Sequence, residues 1–314
     1  MRWLWRGLAV VAALLAVTLI AFRTPDTDAA EMRAKYGSAP SQFVGLNNGL
    51  TVHLRDEGPT DAPAIILLHG SNADLHTWEP WVAGLRDEYR VIRFDQRGHG
   101  LTGPAPGGDY SRAAFAADVA AVAGELGLDN YVVGGNSMGG GVALEHALAD
   151  PSRLAGVVLV DASGAPRLRE VDGNIGFTIA QTPGVSWLMT QITPRSLVEK
   201  SLRQSVSNEA IVTDAAVDRY WELLRYPGNR AATVARFRSG RGGAFDEARL
   251  RALDLPVLVQ WGEEDALIPV DAARWFAARL PRSTLALYPG TGHLPMEEAP
   301  SRTLADLTAW LASL

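Results

Sequence analysis

The chain has 314 residues, 47% of them apolar, enough to bury one sizeable core. Its 29 Lys and Arg against 35 Asp and Glu give a formal charge of −6, which leaves no basic footprint for nucleic acid. With no cysteine, disulfides, thiolate metal sites and cysteine nucleophiles are excluded.

Leu8 to Phe22 is uncharged and mostly apolar, preceded by Arg2 and Arg6 and flanked by Trp3 and Trp5. As a helix it would reach roughly 23 Å, short of a ~30 Å hydrocarbon core unless Leu4, Trp5 and a snorkelling Arg6 extend it. No small-x-small site ends it. Residues 1–23 therefore read as a retained membrane anchor, with a cleaved signal peptide and secretion as the alternative. Arg2 and Arg6 favour a cytoplasmic N-terminus with the domain outside, against the pull of Arg23, Arg33 and Lys35. Residues 24–41 read as a polar linker.

From there apolar runs alternate with amphipathic helical patterns, the order that builds an α/β fold with a mostly parallel sheet flanked by helices. The runs predict strands from Thr51 to Arg55, Ala64 to Leu68, Arg90 to Phe94, Tyr131 to Val133, Gly156 to Val160, Val257 to Gln260 and Thr284 to Tyr288. Helices are expected from Trp78 to Glu88, Arg112 to Leu126, Met138 to Ala149, Val270 to Leu280 and Ser301 to Ala312. Between Gly164 and Gly243 the strand pattern stops. Thr193-Pro194, Thr213 and Asn229 open helices there, the last ending at Gly240. Residues 42–164 and 244–314 thus read as two parts of one α/β core, and 165–243 as an all-helical lid.

Ligands of a parallel sheet bind beyond the carboxyl ends of its strands, and the polar residues collect there. His69-Gly70-Ser71 follows AIILL, Asp95 to Gly100 follows RVIRF, Asp161 follows VVLV, Asp265 follows VLVQWGEE and His293 follows LALYPGTG. Gly135-Asn136-Ser137-Met138-Gly139 is a G-x-S-x-G sequence between a strand and a helix, the setting that projects a serine hydroxyl above a sheet. Serine needs a base oriented by an acid. His293, in a glycine-rich loop after the last strand, is the base; Asp265 is the preferred acid, with Glu263, Glu264 and Asp161 as rivals. His69 and His99 read as loop-shaping groups and His53 and His146 as residues without chemistry, while His76 at the pocket stays open. No His and carboxylate set has ligand spacing, so neither metal nor other cofactor is expected.

LLHGSNADLHTW, RFDQRGHGLT, GNSMGG, QWGEEDALIP and GTGHLPMEEAP resemble the α/β-hydrolase superfamily, in its cap-containing group, over Phe43 to Leu314. The resemblance implies Ser137 as nucleophile, His293 as base and then acid, and Asp265 as the carboxylate on the imidazole. It further implies an oxyanion hole from the backbone amides of Ser71 and Met138, with the Ser71 side chain idle. Trp78, Trp187, Leu267 and Leu294, with Met138 and the lid aromatics Phe177, Trp221 and Phe237, are candidates to bind substrate. The implied activity is a carboxylesterase-like serine hydrolase acting on small to medium esters. GNSMGG also resembles the meta-cleavage product hydrolases, which break C–C bonds, although Leu294 stands where those enzymes have tryptophan after the histidine. Lactone or thioester hydrolysis and cofactor-free perhydrolysis use the same parts, whereas the related aspartate-nucleophile enzymes do not fit Ser137. From another class, a membrane-tethered ligand-binding protein on this fold is the rival, and the complete set of Ser137, Asp265 and His293 counts against it. The oligomeric state is not specified.

Overall fold

The computed structural model describes residues 3, 5–7, 10, 17, 20–168, 175, 178–179, 182, 186–239 and 242–314. Its apolar runs become β1 (Ser41–Gly45), β2 (Thr51–Glu57), β3 (Ala64–Leu68), β4 (Arg90–Phe94), β5 (Tyr131–Asn136), β6 (Leu154–Val160), β7 (Val257–Gly262) and β8 (Ser283–Tyr288). One sheet results, in the order β1-β2-β4-β3-β5-β6-β7-β8. β2 pairs antiparallel with β1 and β4, and every other pairing is parallel. Continuous apolar sequence suits strands covered on both faces, and β5 and β7 are buried at every residue.

The expected strands are all present, β3 and β4 with the expected bounds. β5 and β7 run further than expected: Gly134, Gly135 and Asn136 continue the first ladder without a strand-like composition, and Trp261 and Gly262 continue the second beyond the apolar run. β1 was not expected. It is a partly exposed edge strand whose short sequence, SQFVG, carries no buried alternation.

Helices Glu79–Leu85, Arg112–Glu125, Met138–Ala149, Asp271–Ala277 and Pro300–Leu311 cover the sheet where helical periodicity placed them, with ends shifted by a few residues. Ser111 caps the second of these by accepting from Ala114 N. Within 165–243 the described elements are all helical: 3₁₀ turns Ser186–Thr190 and Glu209–Ile211 and helices Arg195–Arg203, Asp214–Leu224 and Asn229–Arg238. Thr213 caps the helix at Asp214 as expected, accepting from Ala216 N. Thr193 does not cap its helix. Pro194 takes the N-cap position because the helix starts one residue later, at Arg195. Gly240 and Phe177 lie outside the described residues.

The linker reading is corrected for residues 24–36. Ala29–Tyr36 is a helix, capped by Asp28, and the segment before it is strapped onto the lid. Thr24 N donates to Gln191 O at 2.8 Å and Thr27 N to Arg225 O at 2.9 Å. Arg230 donates to Thr24 O at 2.8 Å and to Asp26 at 2.6 Å, and Lys35 and Tyr36 both donate to Glu222. Polar residues that suggested a solvated connector are instead partners of lid side chains. Among the described residues no helix is long and apolar enough to cross a membrane; most of Leu8 to Phe22, which carries the anchor expectation, lies outside them.

Candidate active site

β5 runs into Ser137 and the chain turns at once into helix Met138–Ala149. Ser137 holds φ 54° and ψ −116°, a strained combination for a residue with a side chain. Backbone bonds keep it there: Ser137 N donates to Val160 O and Ser163 N donates to Ser137 O, both at 2.9 Å. The glycines that follow are required by approach. A Cβ on Gly139 would overlap the carbonyl oxygens of Leu68 and His69, and one on Gly140 would lie 2.6 Å from Ala162 Cβ. The helix therefore seats directly on the ends of β3 and β6, with Ser137 at the mouth.

His293, in the loop after β8, places Nδ1 2.6 Å from Asp265 Oδ2. Asp265 Oδ1 accepts from Leu267 N at 2.7 Å and Ile268 N at 3.0 Å, which fixes the carboxylate plane. A carboxylate only accepts, so the imidazole proton sits on Nδ1 and Nε2 is the free base. Asn136, beside Ser137, donates to His293 O at 3.0 Å. Glu298 gathers four backbone N–H groups, Gly292 and Leu294 from the histidine loop and Ser207 and Asn208 from the lid. Neither Asn136 nor Glu298 was marked as a site residue by the sequence, because each acts through backbone groups that only folding brings near.

Ser137 and His293 line one open pocket with about 750 Å³ of atom-free space. No hydrogen bond joins Ser137 Oγ to His293 among the described residues, a looseness common before substrate binds. The amides of Ser71 and Met138 have no protein acceptor among the described residues, as free oxyanion donors require. Behind them His69 donates Nδ1–H to Gly70 O at 2.8 Å and accepts from Gln96 N at 3.0 Å. Burial holds its pKa below the usual histidine value, and that of His99 well below it. Both rings are thus neutral loop braces, His99 donating to Arg97 O at 2.9 Å.

Asp161, the rival acid, makes no hydrogen bond to His293 among the described residues. It is fully buried at φ +46°, with Oδ1 accepting from Gly262 N at 3.1 Å and Oδ2 receiving no donor. Burial first, and the adjoining Asp265 carboxyl second, push its pKa well above the usual carboxylate range. A proton on Asp161 lets the two carboxyls share a hydrogen bond. Ligand-type atoms of Asp161, Asp265 and His293 lie within 4.8 Å of one another, but His293 Nδ1 is committed to Asp265 in that group.

Of the residues expected to bind substrate, Leu267, Met138 and Phe237 line the main pocket, and Leu294 lines a recess shared with Ser137 and His293. Trp78 and Trp187 are corrected. Trp78 is fully buried against Trp81, ring centroids 4.9 Å apart, while Trp187 is 51% exposed on its 3₁₀ turn. Trp221 packs inside the lid, its Nε1 donating to Thr193 O. His76 pairs with Asp74 at 2.6 Å and is not among the pocket's lining residues. Several lining residues were missed, Tyr110, Phe115, Val142 and Ser163 among them, and with them two cationic side chains, Arg112 and Arg236. Nothing in a one-dimensional pattern says that an arginine on an amphipathic helix points into a pocket.

A mostly parallel sheet with a strand–serine–helix turn above it defines an α/β hydrolase. The chain belongs to that family: the model described as alpha/beta hydrolase fold matches residues 63–300. It is 31% identical over 253 residues to an uncharacterized protein of Mycobacterium tuberculosis, covering 76% of this chain and 72% of that one. It is 26% identical over 268 residues to a 2-hydroxy-6-oxononadienedioate/2-hydroxy-6-oxononatrienedioate hydrolase of Comamonas testosteroni, covering 82% and 91%. Among solved structures it matches a thermophilic esterase from Thermogutta terrifontis with a TM-score of 0.72, at 27% identity over 88% of this chain and 99% of that one.

Proposed function

We propose that this α/β hydrolase is a serine hydrolase of small to medium carboxylic esters, working through an acyl-enzyme on Ser137. The observation that carries the reading is the His293–Asp265 bond of 2.6 Å on the pocket that Ser137 also lines. His293 Nε2 takes the Ser137 proton as Oγ attacks the ester carbonyl, and the oxyanion accepts from the amides of Ser71 and Met138. Collapse breaks the C–O bond and the alcohol leaves with the proton from His293. Water, deprotonated by the same nitrogen, then releases the acid and restores Ser137.

Incubation with a fluorophosphonate, followed by peptide mass spectrometry, tests this. Adduct on Ser137, absent from Ser137→Ala together with turnover of p-nitrophenyl esters, is the expected result. A folded wild-type protein that neither labels nor turns over ester would favour the ligand-binding alternative. Hydrolysis of a C–C bond is the second reading, favoured by Arg112 and Arg236 in the pocket, which suit a substrate bearing a carboxylate. Faster turnover of a 2-hydroxy-6-oxodienoate than of any ester would establish it. We also propose that residues 1–23 anchor the chain with the catalytic domain outside the cytoplasm; release of the full chain from membranes by alkaline carbonate would overturn this.

A further inference from the structure

The loop after β3 carries a hydroxyl that the acyl-transfer reading leaves without a task. Ser71 lines the main pocket together with Ser137 and His293. The loop passes close to the nucleophile, since a Cβ built on Gly70 would lie 3.4 Å from Ser137 Cβ. Ser71 Oγ accepts from Arg236 Nη2 at 2.5 Å. A guanidinium has no acceptor, so this bond fixes the hydroxyl oxygen while its own hydrogen stays free. Among the described residues that hydrogen has no protein acceptor. One turn earlier on the same lid helix, Thr233 donates to Asn72 Oδ1 at 3.1 Å. The helix Asn229–Arg238 therefore grips two successive residues of the loop that supplies the Ser71 amide.

We infer that the Ser71 hydroxyl is a third donor to the oxyanion, beside the two backbone amides, and that Arg236 is the residue that positions it. The inference rests on the acyl-transfer reading and reverses the expectation that the Ser71 side chain is idle. Its chemistry is electrostatic. As negative charge grows on the carbonyl oxygen the hydroxyl donates to it, and the guanidinium bonded to Oγ strengthens that donor. The bond is fully formed only in the tetrahedral state, so its loss appears in kcat and leaves KM nearly unchanged. It also makes the lid part of the catalytic apparatus, because the arginine comes from a lid helix and the nucleophile from the core.

The test uses the full chain in detergent, p-nitrophenyl butyrate as substrate and fluorophosphonate titration to count active sites. Ser71→Ala is expected to lower kcat about 10²-fold, the scale of a lost oxyanion donor, while Ser71→Thr keeps most of the rate. Arg236→Met is expected to lower kcat in the wild-type background and to add less than about twofold to Ser71→Ala, since it acts through that hydroxyl. A purely structural role for Arg236 would give the same loss in both backgrounds and overturn its positioning role. Ser71→Ala with unimpaired kcat in an active wild-type background would overturn the inference alone. A wild-type chain that neither labels nor turns over substrate would remove the acyl-transfer reading and the inference with it.

Discussion

Asp265 and Asp161 end neighbouring strands and carry the same side chain, yet their surroundings give them opposite character. Asp265 accepts from two backbone N–H groups and from His293, whereas among the described residues Asp161 accepts only from Gly262 N and keeps one oxygen without a donor. Asp265→Asn is expected to cut kcat by about 10⁴, because an amide facing Nδ1 enforces the wrong imidazole tautomer. Asp161→Asn preserves a donor toward Asp265 and is expected to leave turnover at neutral pH nearly unchanged; initial rates for both variants check this. Stability separates them too. The Asp161 carboxyl is raised in the fold above its unfolded value of about 3.9, so the stability tied to its proton is complete below that pH. It is lost as pH rises through the folded value. Asn does not titrate, so Asp161→Asn gains on wild type as pH rises above about 4, until Asp161 itself loses its proton in the fold, by at most about 1.4 kcal/mol per pH unit. Melting curves at pH 5, 7 and 9 with a constant offset would contradict this account.

The elements that hold the site are short and closely apposed. Gly139→Ala forces its helix off the carbonyl ends of β3 and is expected to destabilise by about 1–3 kcal/mol, read as a lower denaturant midpoint. The apolar periods around this helix were legible in advance, as was the need for bare backbone beside Ser137. Its partner surface was not, since Leu68 and Ala162 are distant in sequence and meet it only when the sheet forms. Glu298 shows the same limit at the histidine loop. Its carboxylate ties Gly292 and Leu294 to Ser207 and Asn208. Glu298→Ala leaves four N–H groups without that acceptor and is expected to lower kcat more than it raises KM, because His293 loses its fixed approach. Steady-state kinetics with both parameters resolved would decide it.

At the scale of the whole molecule, the strap from Thr24 to Tyr36 joins the apolar N-terminal stretch to the lid. Met32, 2% exposed, sits among Leu101, Leu223 and Tyr226, and Arg230, 5% exposed, is bonded to Thr24 and Asp26. Removing residues 1–20 keeps every one of these contacts and is expected to leave Tm unchanged. Removing residues 1–36 uncovers the methionine site and unpairs lid arginines, for an expected fall of about 5 °C or more. Calorimetry on both truncations tests the strap, and equal melting temperatures would show that it contributes nothing.

The sequence by itself determined the α/β class, the strands of the buried sheet, and the serine, the histidine and a short set of candidate carboxylates for the site. Buried strands announce themselves as apolar runs, and chemistry collects at their ends where chain order alone can place it. Tertiary structure decided what contact decides: which carboxylate meets His293, that β1 closes the sheet edge and that residues 24–36 bind the lid. It also decided that Arg236 reaches Ser71 and that Trp78 is core. Each of these depends on which groups far apart in the chain come within a few ångströms, and hydropathy and spacing describe only neighbours along the backbone.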